Sequence, residues 1–213
     1  DSGYQIGWGI TISGTNMVTV PSEGGGICQV ATTLFQPVFW AGYPIIERTG
    51  HLYWIPRYGE PPKGMKGLDA TVDTIYDKSG NLSYEVDFKF QNTTENPILI
   101  QSRTDGKNVY FSLYGVKPDW QVKVDGPLIE DVVKASPEVV RQEDPTMPVG
   151  KEIWIEQARD GFRATIVRRV TRGGTVISEQ SFVTRYRPSR NVVLVGTKPI
   201  SPTGKEQQAT EGH

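Results

Sequence analysis

The sequence predicts an α+β N-terminal domain, with one main helix packed on an antiparallel sheet, followed by a small all-β C-terminal domain. The first half holds one long stretch with apolar residues at helical spacing, residues 27–42, between segments in which apolar and polar residues alternate. Beyond about residue 137, the patterned segments all alternate in this way and turn residues separate them. The change from helix plus strands to strands alone indicates two domains.

We expect four segments along the chain: a first domain over residues 1–115, a connector over 116–137, a second domain over 138–198 and a disordered tail over 199–213. The chain has 213 residues, of which 37% are hydrophobic, so each domain can build a core. The net charge of −1 gives no reason to propose a nucleic-acid partner. Because the chain opens at Asp1 without a signal peptide or an apolar run of membrane-spanning length, we expect a fragment of a longer precursor.

The main helix is predicted to begin after three glycines and to end at Gly42. Pro37 lies inside this pattern and is expected to kink the helix or to end its first part. The residues expected to form its buried stripe are Ile27, Val30, Ala31, Leu34, Val38 and Ala41.

The predicted second domain has candidate strands at 151–157, 162–171, 175–186 and 192–195, with a hairpin turn at 172–174. Four strands support only a small core, for which the candidates are Val167, Val170, Val176, Ile177, Phe182 and Val193. A module this slender fits a spacer or a binding domain better than an enzyme.

Cys28 is the only cysteine, so no internal disulfide and no thiolate zinc site can form. His51 and His213 add little to a metal site, and we predict neither a metal nor another cofactor. Cys28 opens the predicted helix, where unpaired N–H groups and the helix dipole stabilise a thiolate and could receive an oxyanion during acyl transfer. The alternative is a glycine-rich turn before a core helix, with Cys28 as a small apolar residue.

His51, the only internal histidine, is the candidate general base, although it could instead be a surface-loop residue. Asp69 could orient the imidazole and complete a Cys-His-Asp set, with Asp73 and Glu47 as competitors for that role. The candidate substrate-binding residues lie beside the cysteine or near His51: Gly25, Gly26, Gln29, Arg48, Tyr53 and Trp54. An arginine can clamp a carboxylate and aromatic walls suit sugars and peptides, whereas ordinary packing is the alternative for each and is favoured for Tyr58.

Four elements of the first half resemble the VanW-like domain family, named from vancomycin-resistance gene clusters. The run GGGICQVATTLF at 24–35 is similar to the family signature, and Glu47-Arg48 with His51 is similar to its Glu-Arg-x-x-His element. Residues 69–72 are similar to its Asp-Ala-Thr-Val element, and residues 87–92 to its strand that ends in Asn. The sequence departs from the family pattern at Ala31, Phe35 and Leu52. The resemblance spans roughly residues 14–114.

The second half resembles the G-five domain, whose two ends are similar to residues 142–150 and 186–197. This resemblance implies binding of wall glycan that contains N-acetylglucosamine. An excess of arginine could favour an anionic wall polymer, with a solvated strand face as the alternative; the residues are Arg163, Arg168, Arg169, Arg172, Arg185, Arg187 and Arg190.

The VanW-like resemblance implies an extracytoplasmic protein of the cell envelope, or a secreted one, linked to antibiotic resistance. It implies an L,D-transpeptidase that forms a thioester on Cys28 with peptidoglycan stem peptides and cross-links them, with no cofactor. The full-length protein could be anchored in the membrane through a segment that precedes this chain. One alternative is a non-catalytic module that binds wall glycan or stem peptide and in which Cys28 is structural; another is a spacer.

Overall fold

A computed structural model describes residues 5–13, 16–59, 65–77 and 79–199. Among these residues, no helix is long and apolar enough to cross a membrane. The predicted tail falls, apart from Pro199, outside the described residues. The elements along the chain are β1 (Gln5–Ser13), β2 (Asn16–Gly25), α1 (Ile27–Ala41), β3 (Ile45–Glu47), α2 (Pro56–Gly59), β4 (Asp73–Tyr76), β5 (Leu82–Val86), β6 (Lys89–Phe90), β7 (Leu99–Thr104), β8 (Val109–Tyr114), β9 (Trp120–Val133), β10 (Val139–Pro148), β11 (Glu152–Glu156), β12 (Gly161–Arg172), β13 (Thr175–Tyr186) and β14 (Asn191–Lys198).

The described residues are mostly β, with one main helix, in agreement with the predicted composition of the fold. They divide into two compact units: the first holds the residues up to Val133 together with Gly161–Arg187, and the second holds Lys134–Asp160 together with the residues after Arg187. The larger sheet of the first unit has the order β13-β12-β9, and four two-stranded antiparallel pairs accompany it: β1-β2, β3-β6, β4-β5 and β7-β8.

Helix α1 begins and ends at glycines, as its sequence predicts. Gly26 precedes it with φ 99° and Gly42 follows it with φ 83°, both in the left-handed region that favours glycine. The helix continues through Pro37 to Ala41. Its buried stripe is rotated from the predicted one, because Ile27 is exposed whereas Thr32, Phe35 and Phe39 are buried with Ala31 and Val38.

The core of the first unit lies between α1 and the sheet β13-β12-β9. Phe35 and Phe39 of the helix contact Phe182 of β13, with ring centroids 6.3 and 5.0 Å apart. Ile166 of β12 and Leu68 are fully buried in the same cluster. Burying a large apolar side chain is worth about 1.5–3 kcal/mol, so this interface fixes the helix on the sheet.

The sheet also caps the C-terminal end of α1. Arg168 of β12 is almost fully buried and donates to the carbonyl oxygens of Phe39 at 2.7 Å and Tyr43 at 2.8 Å. Trp120 of β9 donates its indole N–H to Ala41 O at 2.8 Å. Helix-end carbonyl groups without intrahelical partners thus bond to the sheet. Burial lowers the pKa of Arg168 to about 10, and this arginine lies in the core rather than on a solvated strand face.

The compact units divide the chain differently from the predicted segments. The predicted connector contains β9, a 14-residue strand that pairs with β12 along most of its length. Strands β12 and β13, which the sequence assigns to the second domain, belong to the first unit because their inward face packs on α1. Of the core residues predicted there, Val170, Phe182 and Val193 are buried, whereas Val176 and Ile177 are exposed.

The second unit is built on a three-stranded sheet with the order β10-β14-β11. Strands β10 and β14 are parallel, and β11 is antiparallel to β14. Val192, Val193 and Leu194 of the central strand are buried, together with Met147 of β10.

Candidate active site

Cys28 lies in the first turn of α1 and is partly exposed, as the sequence predicts. Within the described part of the chain, no side chain caps Gly26 and no acidic residue occupies the first turn. The first N–H groups of the helix therefore keep their partial positive charge beside the sulfur. Cys28 Sγ is 3.1 Å from Thr71 Oγ1 and 3.5 Å from the carbonyl oxygen of Val72.

The predicted Cys-His-Asp side chains meet in the structure. The ring of His51 lies close enough to Cys28 for each group to shift the pKa of the other. His51 Nδ1 is 2.5 Å from Asp69 Oδ2, which leaves Nε2 as the ring nitrogen for the cysteine. The same carboxylate oxygen accepts the backbone N–H of His51 at 2.9 Å. Asp69 therefore fixes both the orientation and the tautomer of the imidazole.

Two further residues fill the hydrogen-bonding capacity of the Asp69 carboxylate. Its Oδ1 accepts Arg48 Nη2 at 3.0 Å and the hydroxyl of Tyr186 at 2.6 Å. The side chains of Arg48 and Asp69 are both only 4% exposed. A buried charge is tolerated when it is paired and hydrogen-bonded, and this carboxylate has four donors.

Arg48 links the segment that carries Asp69 to strand β13. Its Nε donates to Asp69 O at 2.5 Å, its Nη2 also to Gly67 O at 2.6 Å, and its Nη1 to Thr184 Oγ1 on β13 at 2.8 Å. Gly50, next to His51, lies so close to Thr184 that an added Cβ would come within 2.5 Å of its methyl group. A side chain at position 50 would push β13 away from the histidine.

The segment that carries Asp69 is held by helix α1 on its other side. Thr32 Oγ1 donates to Ala70 O at 2.8 Å and accepts Ala70 N–H at 3.0 Å. Gln36 Nε2 donates to Leu68 O at 2.5 Å. The helix that presents Cys28 therefore also sets the position of the acid.

The electrostatics favour a thiolate paired with an imidazolium. Burial alone would raise the pKa of the Cys28 thiol, but its hydrogen bonds to His51 and Thr71 bring that pKa below its ordinary value. Burial alone would lower the pKa of His51, but hydrogen bonds to Asp69 and Cys28 raise it to about 9. Burial likewise opposes ionisation of Asp69, whereas the hydrogen bond and charge of His51 hold its pKa below the usual range. These directions favour the ionised forms of all three groups.

A cleft of about 960 Å³ lies along the exposed side of α1, between that helix, α2 and the β7–β8 hairpin. Gln29, the residue after Cys28, lines it. So does Tyr58 of α2, whose ring centroid is 5.2 Å from that of His51. Burial raises the pKa of Tyr58 to about 12, so its phenol stays neutral beside the site.

A family model described as "VanW like protein" matches residues 1–114, just over half of the chain. The chain belongs to the VanW-like protein family. A second model, for the G5 domain, matches residues 129–198. The order of the two resemblances in the sequence is thereby confirmed, and both families are associated with the cell wall.

Two curated relatives share the VanW-like part. Over 91 residues, 43% of this chain, it is 41% identical to the uncharacterized protein YoaR of Bacillus subtilis. Over 110 residues, 51% of this chain, it is 26% identical to the vancomycin B-type resistance protein VanW of Enterococcus faecalis. The matched regions span only 25% and 35% of those two proteins. A solved structure of the IgA1 protease G5 domain matches 39% of this chain and 99% of its own length, at 19% identity and a TM-score of 0.21.

Several predicted substrate-binding residues have structural contacts instead. Four of the five N–H donors of Arg48 bond to protein acceptors, so it cannot also act as a fork for a substrate carboxylate. Trp54 packs its ring on Phe162, 5.7 Å between centroids, under the ammonium of Lys66. Tyr53 forms a backbone bridge with Arg187.

The remaining candidates separate by position. Gln29 lines the cleft, Gly25 ends β2, and an added Cβ on Gly26 would meet no atom of the described residues within 4 Å. The competitors of Asp69 lie elsewhere: Glu47 pairs with Lys89 at 2.7 Å, and Asp73 is exposed on β4.

Sequence reasoning missed Thr71, Thr184 and Tyr186 as site residues. Thr71 belongs to the Asp-Ala-Thr-Val element, so that element contained the signal for it. Thr184 and Tyr186 lie more than 110 residues from Asp69, on a strand assigned to another domain. No local pattern links them to Cys28. Among the described residues, no group of three or more His, Cys, Asp or Glu side chains could hold a metal ion.

Proposed function

We propose that this protein is a cysteine acyl transferase of the L,D-transpeptidase type, which cross-links peptidoglycan stem peptides. The observation that carries the proposal is the relay Cys28–His51–Asp69 at the N-terminus of α1, in which His51 is hydrogen-bonded to Asp69 and its ring interacts with the Cys28 thiol. A nucleophile within hydrogen-bond reach of a base, oriented in turn by a third group, is the arrangement used for covalent catalysis. Family membership and the cell-wall association of both matched families support this substrate class.

In the first step, the Cys28 thiolate attacks the carbonyl carbon of the stem-peptide bond that follows a diamino acid. The oxyanion that forms lies near the unpaired N–H groups of the first helical turn. His51, protonated on Nε2, gives its proton to the leaving amine as the C–N bond breaks. The products are a thioester on Cys28, the released D-amino acid and a neutral His51, whose Nδ1–H stays bonded to Asp69.

In the second step, the side-chain amine of a neighbouring stem peptide attacks the thioester carbonyl. His51 accepts a proton from that amine, and the C–S bond breaks to regenerate the thiolate–imidazolium pair. Water in place of the amine would give hydrolysis through the same proton transfers. Tyr58, neutral and packed beside His51, narrows the approach to the ring.

The second unit contributes a different property in this proposal. Most of it lies within the G5 match, and G5 domains are associated with cell-wall binding. Binding of wall glycan there would keep the protein on its polymeric substrate, outside the cytoplasm. A protein that only binds the wall, with Cys28 as a structural residue, is the competing function.

The test is incubation of the protein with tetrapeptide-bearing peptidoglycan, followed by separation of the muropeptides. We expect new cross-linked or trimmed muropeptides with the wild type and none with Cys28→Ala. Intact mass measurement should reveal an acyl adduct on the wild type alone, at the single cysteine of the chain. Cys28→Ser serves as the matched control, because it keeps the size and polarity of the side chain but is a far weaker nucleophile at neutral pH.

Identical muropeptide patterns from wild type and Cys28→Ala would contradict the enzyme proposal. If neither changes the muropeptides while both bind the sacculus, the wall-binding function takes its place.

A further inference from the structure

The cleft along α1 is lined by cations, and no carboxylate is among the described residues that line it. Arg57 of α2, Arg103 of β7 and Lys107 of the β7–β8 turn face it. All three cations are exposed, and none forms an ion pair within the described residues. Three charges of one sign along a concave surface attract an anionic ligand.

The cationic side of the cleft is ordered by its neighbours. The guanidinium of Arg103 lies 4.1 Å from the ring centroid of Tyr110. The hydroxyl of Tyr110 donates to Asp105 Oδ2 at 2.8 Å, and the other oxygen of Asp105 accepts the N–H groups of Lys107 at 3.0 Å and Asn108 at 2.7 Å. The one nearby carboxylate is therefore occupied in shaping the turn. It reduces the positive charge of the hairpin but does not line the cleft.

The rest of the lining combines polar side chains with aromatic and apolar ones, which suits a peptide. The apolar part includes Val109 and Phe111 as well as tyrosine rings, which give an extended peptide flat surfaces. Of the amide and hydroxyl side chains in the lining, Thr32, Thr33 and Gln36 already bond within the chain. Gln29, Gln101 and Ser112 offer donors and acceptors to a peptide backbone.

The cleft and the proposed nucleophile share one helix. Gln29 follows Cys28 directly, and Tyr58 contacts both the cleft and the ring of His51. Neither Cys28 nor His51 lines the cleft itself, so a ligand held there reaches the sulfur past Gln29 and Tyr58.

We infer that this cleft binds the acyl-donor stem peptide, and that Arg57, Arg103 and Lys107 recognise its free carboxylates. This inference rests on the proposed function and names the substrate-binding surface for it. A tetrapeptide stem has a carboxylate on the terminal residue that leaves during the reaction, so recognition of that charge would select uncleaved donors. The role predicted from the sequence for Arg48 would thus belong to these three cations.

The test measures binding separately from chemistry. The Cys28→Ala protein is titrated by calorimetry with a synthetic tetrapeptide stem, and with the same peptide carrying amides in place of its carboxylates. We expect the amidated peptide to bind about tenfold more weakly, and added salt to weaken only the carboxylate form.

Variants then test which cations bind the carboxylates of the peptide. In the Cys28→Ala background, Arg103→Gln combined with Lys107→Gln should raise the Kd of the carboxylate peptide about tenfold and leave that of the amidated peptide unchanged. Arg185→Gln combined with Lys123→Gln is the matched control, since both residues are exposed cations of the same unit away from the cleft. All four positions are exposed, and thermal unfolding of each variant verifies its fold.

Two results would overturn the inference: equal affinities for the two peptides, or the same loss of affinity in the control variant as in the cleft variant. Absence of measurable binding by either peptide would also overturn it. These outcomes are distinct from failure of the proposed function, which the acyl adduct on wild-type Cys28 tests independently. If the Arg103→Gln, Lys107→Gln protein forms the adduct with normal kinetics, the enzyme proposal stands, but this cleft is not its donor site.

Discussion

The two ends of the Cys28–His51–Asp69 relay have opposite surroundings. Cys28 is partly exposed at a helix terminus. Asp69 is buried and accepts four hydrogen bonds, from two groups of His51, from Arg48 and from Tyr186. Cys28 is accessible, whereas Asp69 is held rigidly. Substitution of Cys28 should therefore lower activity with little loss of stability. Substitution of the residues that hold Asp69 should mainly lower stability.

The relay and two residues that support its buried end come from different parts of the chain. Cys28, His51 and Asp69 fall within the VanW-like match, whereas Tyr186 and Thr184 lie on β13, within the G5 match. Strand β13 nevertheless belongs to the same compact unit as the cysteine. The region of a family match and the region that stabilises a site need not coincide.

The largest effect on activity is expected at His51, which links the two ends. His51→Ala removes the base that receives protons from the attacking amine and the acid that protonates the leaving amine, which is worth about 10²–10⁴ in rate. It should also cost about 1–3 kcal/mol of stability, because the buried Asp69 carboxylate loses one of its hydrogen-bond donors. The measurement is the rate of thioester formation on a tetrapeptide donor, beside the denaturation midpoint. Near wild-type rates in this variant would show that His51 takes no part in the reaction.

At the buried end, Arg48→Ala should destabilise the protein by about 3–5 kcal/mol, because it leaves the Asp69 carboxylate buried without its cationic partner. Denaturant unfolding followed by fluorescence measures this. Arg185→Ala is the control, since that side chain is 70% exposed and its loss should cost less than about 0.5 kcal/mol. Equal effects of the two substitutions would contradict the structural role of Arg48.

Tyr186→Phe should cost about 1–3 kcal/mol, because it removes one donor from Asp69 and leaves the buried Gly67 N–H, 3.2 Å from that hydroxyl, without its acceptor. Tyr84→Phe, at a half-exposed position on β5, is the matched control and should be nearly neutral. The variant should also lower the pKa of His51, because a less firmly held carboxylate stabilises the imidazolium less well. NMR titration of the His51 ring protons measures that shift. A loss of stability without a change in the pKa of His51 would show that β13 does not influence the site.

The smallest effect is a dependence of stability on pH. A raised pKa of His51 contributes stability below about pH 6.5 that is lost as the pH rises towards 9. The lowered pKa of Cys28 acts in the opposite direction, since the native state loses the thiol proton before the unfolded state does. In the wild type these contributions oppose each other between about pH 6.5 and 9.

Cys28→Ala removes the opposing contribution, so its stability should fall more steeply as the pH rises from about 6.5. The fall should end below pH 9, because Cys28 no longer helps to raise the pKa of His51. The slope approaches about 1.4 kcal/mol per pH unit while His51 alone holds the extra proton. Unfolding curves at pH 7, 8 and 9 measure the difference. Parallel pH dependences for the two proteins would indicate a neutral Cys28–His51 pair.

Much of the candidate site follows from the sequence because its reacting groups lie in short, specific elements. A lone cysteine after three glycines, a lone internal histidine and an aspartate before a predicted strand point to Cys28, His51 and Asp69 without any tertiary information. The hairpin of β12 and β13 can also be predicted from the sequence, since the alternation of apolar and polar residues and the glycine turn at 173–174 are local signals.

What the sequence cannot reveal is which surface covers those groups. The alternating pattern of β12 fits a small separate sheet as well as a sheet that packs on α1, and Arg168 on its inward face looks like a solvated residue. In the structure that arginine caps the helix instead. Arg48 has the same ambiguity, because a clamp for a substrate carboxylate and a partner for a buried aspartate require the same residue type.

The central claim is that His51 activates Cys28 as a thiolate nucleophile, and the rate of Cys28 alkylation by iodoacetamide across pH tests it most directly. With one cysteine in the chain, every modified thiol is Cys28. The account predicts a midpoint below the value of about 8.5 for a free cysteine, and a shift towards that value in His51→Ala. A wild-type midpoint at or above the free-cysteine value, or one that His51→Ala leaves unchanged, would contradict the account.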